Sequence, residues 1–189
     1  HRVEVGETEA AGEFGRLIHE RLKNDPATGF NHYAGSVEPV VIILSARVRD
    51  FLESLESIMG YQPARGITRQ VGFNSGVEAA RLVMRGLKLD PLAAFLAYPS
   101  LIAGAGWGRA ILEYDDETRL IRLHYPNGTA ISVGLKARRE NPACAYSEGQ
   151  LAGWVDATLG ATEEIAETRC VGMGDPACVF ETRGGGPVP

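Results

Sequence analysis

Residues 141–154 read NPACAYSEGQLAGW, and residues 167–180 read ETRCVGMGDPACVF. The first stretch opens with Asn141-Pro142, a helix-start signal because Pro is tolerated at the first helical position. Leu151, Trp154, Val155 and Leu159 then fall on one face, and Gly160 ends the helix. The second stretch reads as strand, turn, strand. Strand formers over Thr162–Arg169 and Ala177–Thr182 flank the turn Gly172-Met173-Gly174-Asp175-Pro176. A helix running into a hairpin calls for an antiparallel sheet with helices packed on it.

Immediately upstream the pattern is also strand-like. Trp107–Tyr114 and Thr118–Tyr125 are two runs of strand formers joined by the polar turn Asp115-Asp116-Glu117, and Thr129–Leu135 reads as a third. Before these the periodicity is helical. Asp90-Pro91 starts a helix that Pro99 ends or kinks, and another helix spans Thr68–Gly86. Ser45 N-caps a helix with Val48, Phe51, Leu52, Leu55 and Met59 on one face and Gly60 as its stop. Val40–Leu44 suits a strand, Asn24–Gly35 a loop, and Phe14, Leu17, Ile18 and Leu22 place an amphipathic helix over Thr8–Lys23. Helices first, then strands with one more helix, define an α+β fold, an antiparallel sheet packed with helices. With no internal repeat or composition break, one domain spans residues 8–183, and residues 184–189 form a disordered tail.

A chain of 189 residues, 44% hydrophobic and 23% charged, can bury a sizeable core without disulfides. A net charge of −5 argues against a nucleic-acid surface; the short basic run Lys136-Ala137-Arg138-Arg139 reads as a solvated loop. The most apolar run, Val40–Leu44, is too short to cross a bilayer, which takes about 20 residues. The polar, acidic N-terminus is unlike a signal peptide, and His1 in place of a Met reads as a trimmed start. Three cysteines, an odd number, argue against a secreted disulfide scaffold and for a reducing cytoplasm.

All three cysteines lie in the last quarter of the chain. Cys170 and Cys178 are equidistant from Gly174, so a regular hairpin sets them face to face, with Cα atoms roughly 4.5–5.5 Å apart. Cys144 falls in the first turn of the helix begun at Asn141, where the helix dipole favours a thiolate. Three thiolates need a fourth donor for a tetrahedral site; with no His in the segment, Glu167 is placed to supply one. On spacing alone three readings stay open: a structural zinc site, three buried free thiols, or a Cys170–Cys178 disulfide.

The two quoted stretches resemble the 4-vinyl-reductase-type domain. Its signature is a Cys opening a Gly-containing helix, followed by E-x-x-C-x-x-M-G-x-x-x-C-x-F. Cys144, Gly149, Gly153, Glu167, Cys170, Met173, Gly174, Cys178 and Phe180 match it. Upstream, Gly72-x-x-x-Gly76 in a helix, then a further helix and paired strands, follow the same order. That family includes sensory domains of activators that respond to phenol and methylbenzenes, a protein tied to bacteriochlorophyll synthesis, and stand-alone proteins; its fold resembles subunits of the TRAPP trafficking complex. The resemblance implies a structural zinc on Cys144, Glu167, Cys170 and Cys178, a homodimer, and an enclosed apolar pocket. For that pocket it points to Phe95, Ile102, Trp107, Ile111, Leu123, Tyr125, Tyr146 and Ile165, with Tyr146 and His124 as polar handles; the bland reading of each is simply core.

Two departures bear on the ligand. Phenol sensors carry a His where Tyr98-Pro99-Ser100-Leu101-Ile102 places Ile102, and a Trp where Leu123–Tyr125 has none. Both hydroxyl-recognising groups are absent, so the expected ligand is a more apolar or larger molecule than phenol. The competing expectation is tetrapyrrole binding or reduction. Catalysis has little support: no G-x-G-x-x-G follows a strand, Gly104-Ala105-Gly106-Trp107-Gly108 has the wrong spacing, and no G-x-S-x-G, H-E-x-x-H or P-loop occurs.

Overall fold

The structure is a computed structural model that describes residues 2–5, 20, 22–24, 26, 31–33, 39–40, 45–133, 135, 137–161 and 163–183. Four short strands come first: β1 (Arg2–Val5), β2 (Leu22–Asn24), β3 (Asn31–Tyr33) and β4 (Pro39–Val40). Helices α1 (Ser45–Met59), α2 (Tyr61–Leu87), α3 (Pro91–Leu96) and α4 (Tyr98–Gly104) follow. Strands β5 (Ile111–Asp115) and β6 (Leu120–Tyr125), helix α5 (Ala145–Leu159), and strands β7 (Ile165–Arg169) and β8 (Cys178–Thr182) complete the described elements. The fold is α+β, with a five-stranded antiparallel sheet in the order β1-β5-β6-β8-β7 and a separate β2-β3-β4 sheet.

Inward positions alternate along the main sheet as a half-buried strand requires. Leu112 pairs with Leu123 and Tyr114 with Ile121, and all four are buried. On β8, Phe180 pairs with Leu123 and Cys178 with Tyr125, which carries the buried face to the C-terminal hairpin.

Helices α2 and α5 pack backbone to backbone. Gly72 and Gly76 on α2 meet Gly149 and Gly153 on α5, each pair four residues apart and so on one helical face. A Cβ at Gly72 would lie 2.2 Å from the Tyr146 carbonyl oxygen, and one at Gly76 would lie 2.1 Å from that of Gln150. From the other side, a Cβ at Gly149 or Gly153 would lie 2.0 Å from the carbonyl oxygen of Arg69 or Phe73. Only glycine allows this approach. It buries α5 on nearly all sides, between α2 and the sheet.

Several elements differ from the sequence reading. Leu22–Asn24 is strand, so the first expected helix does not reach Lys23; Glu20 is helical and residues 8–19 lie outside the described residues. Asn31–Tyr33 is strand within the expected Asn24–Gly35 loop, and of Val40–Leu44 only Val40 is described, in β4. Arg2–Val5 forms an edge strand on β5. α2 begins at Tyr61, seven residues before Thr68, with Pro63 in its first turn where a missing N–H costs little. Thr129–Leu135 is not a strand: the Thr129 N–H donates to Ser132 Oγ at 2.9 Å and the Ser132 N–H to Thr129 Oγ1 at 3.2 Å, closing a turn instead. The last helix starts at Ala145, not Asn141, leaving Cys144 as its N-cap residue.

The cap signals match the structure. Gly60, at φ 83°, separates α1 from α2, and Gly160, at φ 64°, ends α5. Asp90 caps α3 by accepting the Ala93 N–H at 2.9 Å, with Pro91 at the first helical position. Asp90→Ala is expected to cost about 1 kcal/mol, read as a lower urea midpoint with an unchanged slope.

Candidate metal centre and aromatic cluster

Helix α5, strand β7 and the β7–β8 hairpin bring Cys144, Glu167, Cys170 and Cys178 together. Their ligand atoms all lie within 4.8 Å of one another, and all four residues are buried. The three cysteines are free. Cys144 and Cys178 sulfurs stand 3.9 Å apart, too far for an S–S bond, which needs about 2.05 Å. That separation is close to the edge of a tetrahedron of thiolates about 2.3 Å from a zinc ion, roughly 3.8 Å.

The surroundings are built to hold negative sulfur. The Ala143 N–H donates to Cys170 Sγ at 3.5 Å and the Val171 N–H to Cys178 Sγ at 3.3 Å. Ser132 Oγ lies 3.3 Å from Cys178 Sγ, and Thr129 Oγ1 lies 3.2 Å from Cys144 Sγ. A tight turn after β7 holds the loop: Asp175 Oδ2 accepts the Cys170 N–H at 2.8 Å, and Gly174 sits at φ 94°. Glu167 Oε2 accepts the Cys144 N–H at 2.9 Å, while its Oε1, buried, has no hydrogen-bond partner among the described residues. A buried carboxylate oxygen with no donor is what a metal ligand looks like before its metal is counted.

The four groups compete for ionisation. Hydrogen bonds with Cys144 and Cys170 hold the Cys178 thiol down at about 2. For Cys170, the hydrogen bond with Cys144 pulls downward, but the one with Cys178, burial and the Glu167 charge outweigh it and leave the thiol pushed up to about 12. Hydrogen bonds with Cys170 and Cys178, then burial, push Cys144 well above the ordinary thiol range. Burial raises Glu167 to about 7. Without a cation one thiolate is favoured and the remaining donors resist losing their protons; a divalent metal removes that conflict. The expectation that Cys144 gains a thiolate from the helix dipole does not fit this arrangement. It sits at the N-cap with no side-chain capping bond, and its neighbours raise its pKa rather than lower it.

Behind the donors lies a buried ion-pair network that the sequence reading passed over. Glu148, on the first turn of α5 and almost fully buried, accepts from Arg65 Nη2 at 2.6 Å and Arg69 Nε at 2.7 Å. Its Oε2 also accepts the Glu167 N–H at 2.9 Å. Arg65 and Arg69 sit four apart on α2, a spacing that could have flagged an acidic partner. Glu148→Gln is expected to cost about 3 kcal/mol, the bottom of the range for a broken buried pair, because both arginines remain partly open to water. The check is urea unfolding together with a chelator-competition measurement of metal affinity, which should weaken as Glu167 loses its support.

The residues expected around a ligand divide into three groups. Phe95, Ile102, Leu123, Tyr125 and Ile165 are buried together in the main core, with Phe95 edge-on to Tyr114 at 5.1 Å and Tyr125 edge-on to Phe180 at 5.7 Å. Trp107 and Tyr146 are half-buried and stack on each other, centroids 4.9 Å apart and 17° between planes. Ile111 pairs with His124, out of phase with the buried Leu112 and Leu123, so both lie on the other face of the sheet. Of the two expected polar handles, His124 is therefore turned away, and the Tyr146 hydroxyl is already bonded to Ser75 Oγ at 2.8 Å. Three further residues join the aromatic group: Tyr98 tilts against Trp154 at 5.2 Å, and its hydroxyl donates to Gln150 Oε1 at 3.5 Å. The recurrence of Tyr146, Gln150 and Trp154 every four residues was the available signal.

The fold and the cysteine–glutamate cluster together place the chain among helix-and-sheet domains of the kind the sequence resemblance named. Residues 135–183 match the family model of the vinyl-4-reductase domain. No curated protein matches the chain. Among solved structures, the phenol-responsive sensory domain of the transcription activator PoxR, with phenol, aligns over 93% of this chain and 91% of its own, at 18% identity and a TM-score of 0.76. A vinyl-4-reductase family protein from Methanocaldococcus jannaschii aligns over 79% of this chain and 85% of its own, at 17% identity and TM-score 0.49. An H-NOX protein from S. oneidensis aligns over 94% and 90%, at 12% identity and TM-score 0.50. The PoxR likeness establishes the shared fold.

Proposed function

We propose that this chain binds a small hydrophobic or aromatic molecule, as a sensor or carrier domain, and that Cys144, Glu167, Cys170 and Cys178 hold one structural zinc ion. The observation that carries the ligand reading is the half-buried Trp107–Tyr146 stack at the edge of a fully buried aromatic group. Aromatic faces left partly open beside a buried apolar cluster are how small-molecule sites are lined. The fold shared with a phenol-responsive sensory domain supports the same reading. So does the family match over the cysteine segment.

Zinc fits the donor set: three thiolates and one carboxylate fill a tetrahedron and leave no position for water or substrate. Such an ion clamps α5 to the β7–β8 hairpin rather than performing chemistry, and the proposed role is binding, not catalysis. Reduced thiols suit a cytoplasmic setting. No helix among the described residues is long and apolar enough to cross a membrane. Exposed Phe51 and Ile58 on α1 and Ile67 and Val71 on α2 offer an apolar surface to a second copy of the chain.

The ligand reading is tested by calorimetric titration with single-ring aromatics. It expects one saturable site per chain, weakened by Trp107→Ala or Tyr146→Ala at unchanged fold. Absence of saturable binding across the series would contradict it.

A further inference from the structure

Tyr146, Gln150 and Trp154 occupy positions i, i+4 and i+8 of α5 and so form one stripe along it. Opposite this stripe stand Trp107, stacked on Tyr146, and Tyr98, which touches both remaining members. Trp154 is 2% exposed, yet its indole nitrogen has no hydrogen-bond partner among the described residues. An indole N–H can only donate, and a buried donor left without an acceptor costs free energy that native cores rarely tolerate. Nearby polarity is also loosely used: the Tyr98 hydroxyl reaches Gln150 only at 3.5 Å, the outer limit of a hydrogen bond. Burial pushes the Tyr98 pKa far above its ordinary value, so that hydroxyl keeps its proton and remains a donor.

The polar groups of this stripe are uncharged, and two of them are donors. We propose that the Trp154 Nε1–H, flanked by Tyr98 and Gln150, is the recognition point for the bound molecule, and that the ligand is an uncharged aromatic compound carrying a hydrogen-bond acceptor such as a carbonyl oxygen. This deepens the ligand-binding reading above and rests on it. It differs from what Ile102 and the strand β6 residues alone suggest, since they offer only apolar contact apart from Tyr125. An acceptor oxygen placed against Trp154 satisfies the orphaned donor; a hydrocarbon of the same shape leaves it unpaired.

Two planar probes of the same outline separate these cases: acetophenone, and α-methylstyrene, in which a CH2 group replaces the carbonyl oxygen. Acetophenone is expected to bind about tenfold more tightly. Trp154→Phe should bring the two affinities together by weakening acetophenone alone. With two tryptophans in the chain, the indole 15N–1H signal of Trp154 can be assigned and should shift downfield with acetophenone but not with α-methylstyrene. Equal affinities in the parent, or a preference that survives Trp154→Phe, would overturn the proposal while leaving the ligand-binding reading standing. Failure of both probes to bind would overturn both. If Trp154→Phe does not fold, the parent's indole signal decides: one that ignores bound acetophenone sinks the assignment.

Discussion

Gly153→Ala is expected to destabilise the domain by about 3–5 kcal/mol or to prevent folding, above the usual cost of one extra methyl group. The new Cβ would meet the Phe73 carbonyl oxygen at 2.0 Å and its carbonyl carbon at 2.8 Å. Both obstacles belong to the backbone of α2, so no side-chain rotation relieves them and the helices must separate. Separation would also pull Gly72, Gly76 and Gly149 from their partners, because all four contacts share one interface. A control lies in the same helix pair. Gly66, inside α2, has nothing within 4 Å of where its Cβ would lie. Gly66→Ala should be neutral or stabilising by up to about 1 kcal/mol, through helix propensity and a less flexible unfolded chain. Urea unfolding of both variants checks the pair; a Gly153→Ala protein as stable as the parent would show that the close helix approach is wrong.

Cys170→Ser should remove metal binding and, with zinc present, cost more than about 5 kcal/mol. Metal-binding free energy at a structural site is also folding free energy, with apparent values of about 10–16 kcal/mol in small zinc-dependent folds. A serine hydroxyl does not ionise near neutral pH and cannot replace the thiolate. The hairpin feels the loss directly, because Cys170 and Cys178 flank its turn and the ion ties both to α5. Linkage supplies the internal check. Since the ion stabilises only the folded state, the parent's melting temperature should rise with zinc and fall with a chelator, while that of Cys170→Ser should respond to neither. A variant that melts like the parent in zinc would sink the structural-metal reading.

Much of the architecture was legible because it is written in local signals. Asp90-Pro91, Gly60 and Gly160 mark helix ends by backbone chemistry that tertiary contacts rarely override, and all three did so. The four metal donors were legible because cysteines are few and their spacing is constrained by the hairpin. What escaped was set by distant partners. Tyr61–Gly66 contains a Pro and a Gly and does not read as helix. Yet it is held as one by the Tyr61 hydroxyl donating to the Pro142 carbonyl at 3.0 Å and by Arg65 on Glu148. Thr129–Leu135 has strand composition, but its hydroxyls bond their own backbone and approach the thiols, which no propensity records. The placement of Ile111 failed by one residue of strand phase, enough to turn it to the opposite face. Glu148 and Trp154 were in plain view in the quoted stretch; their importance appears only when their neighbours from α2 and α4 are known.

The central claim, that a cysteine–glutamate zinc site clamps this domain, is tested most directly by native mass spectrometry of the purified protein, followed by the same sample after denaturation. One zinc per chain in the native spectrum, lost on denaturation and absent from Cys170→Ser, is the predicted result. A native mass equal to the bare chain, in protein prepared without chelators, would contradict it.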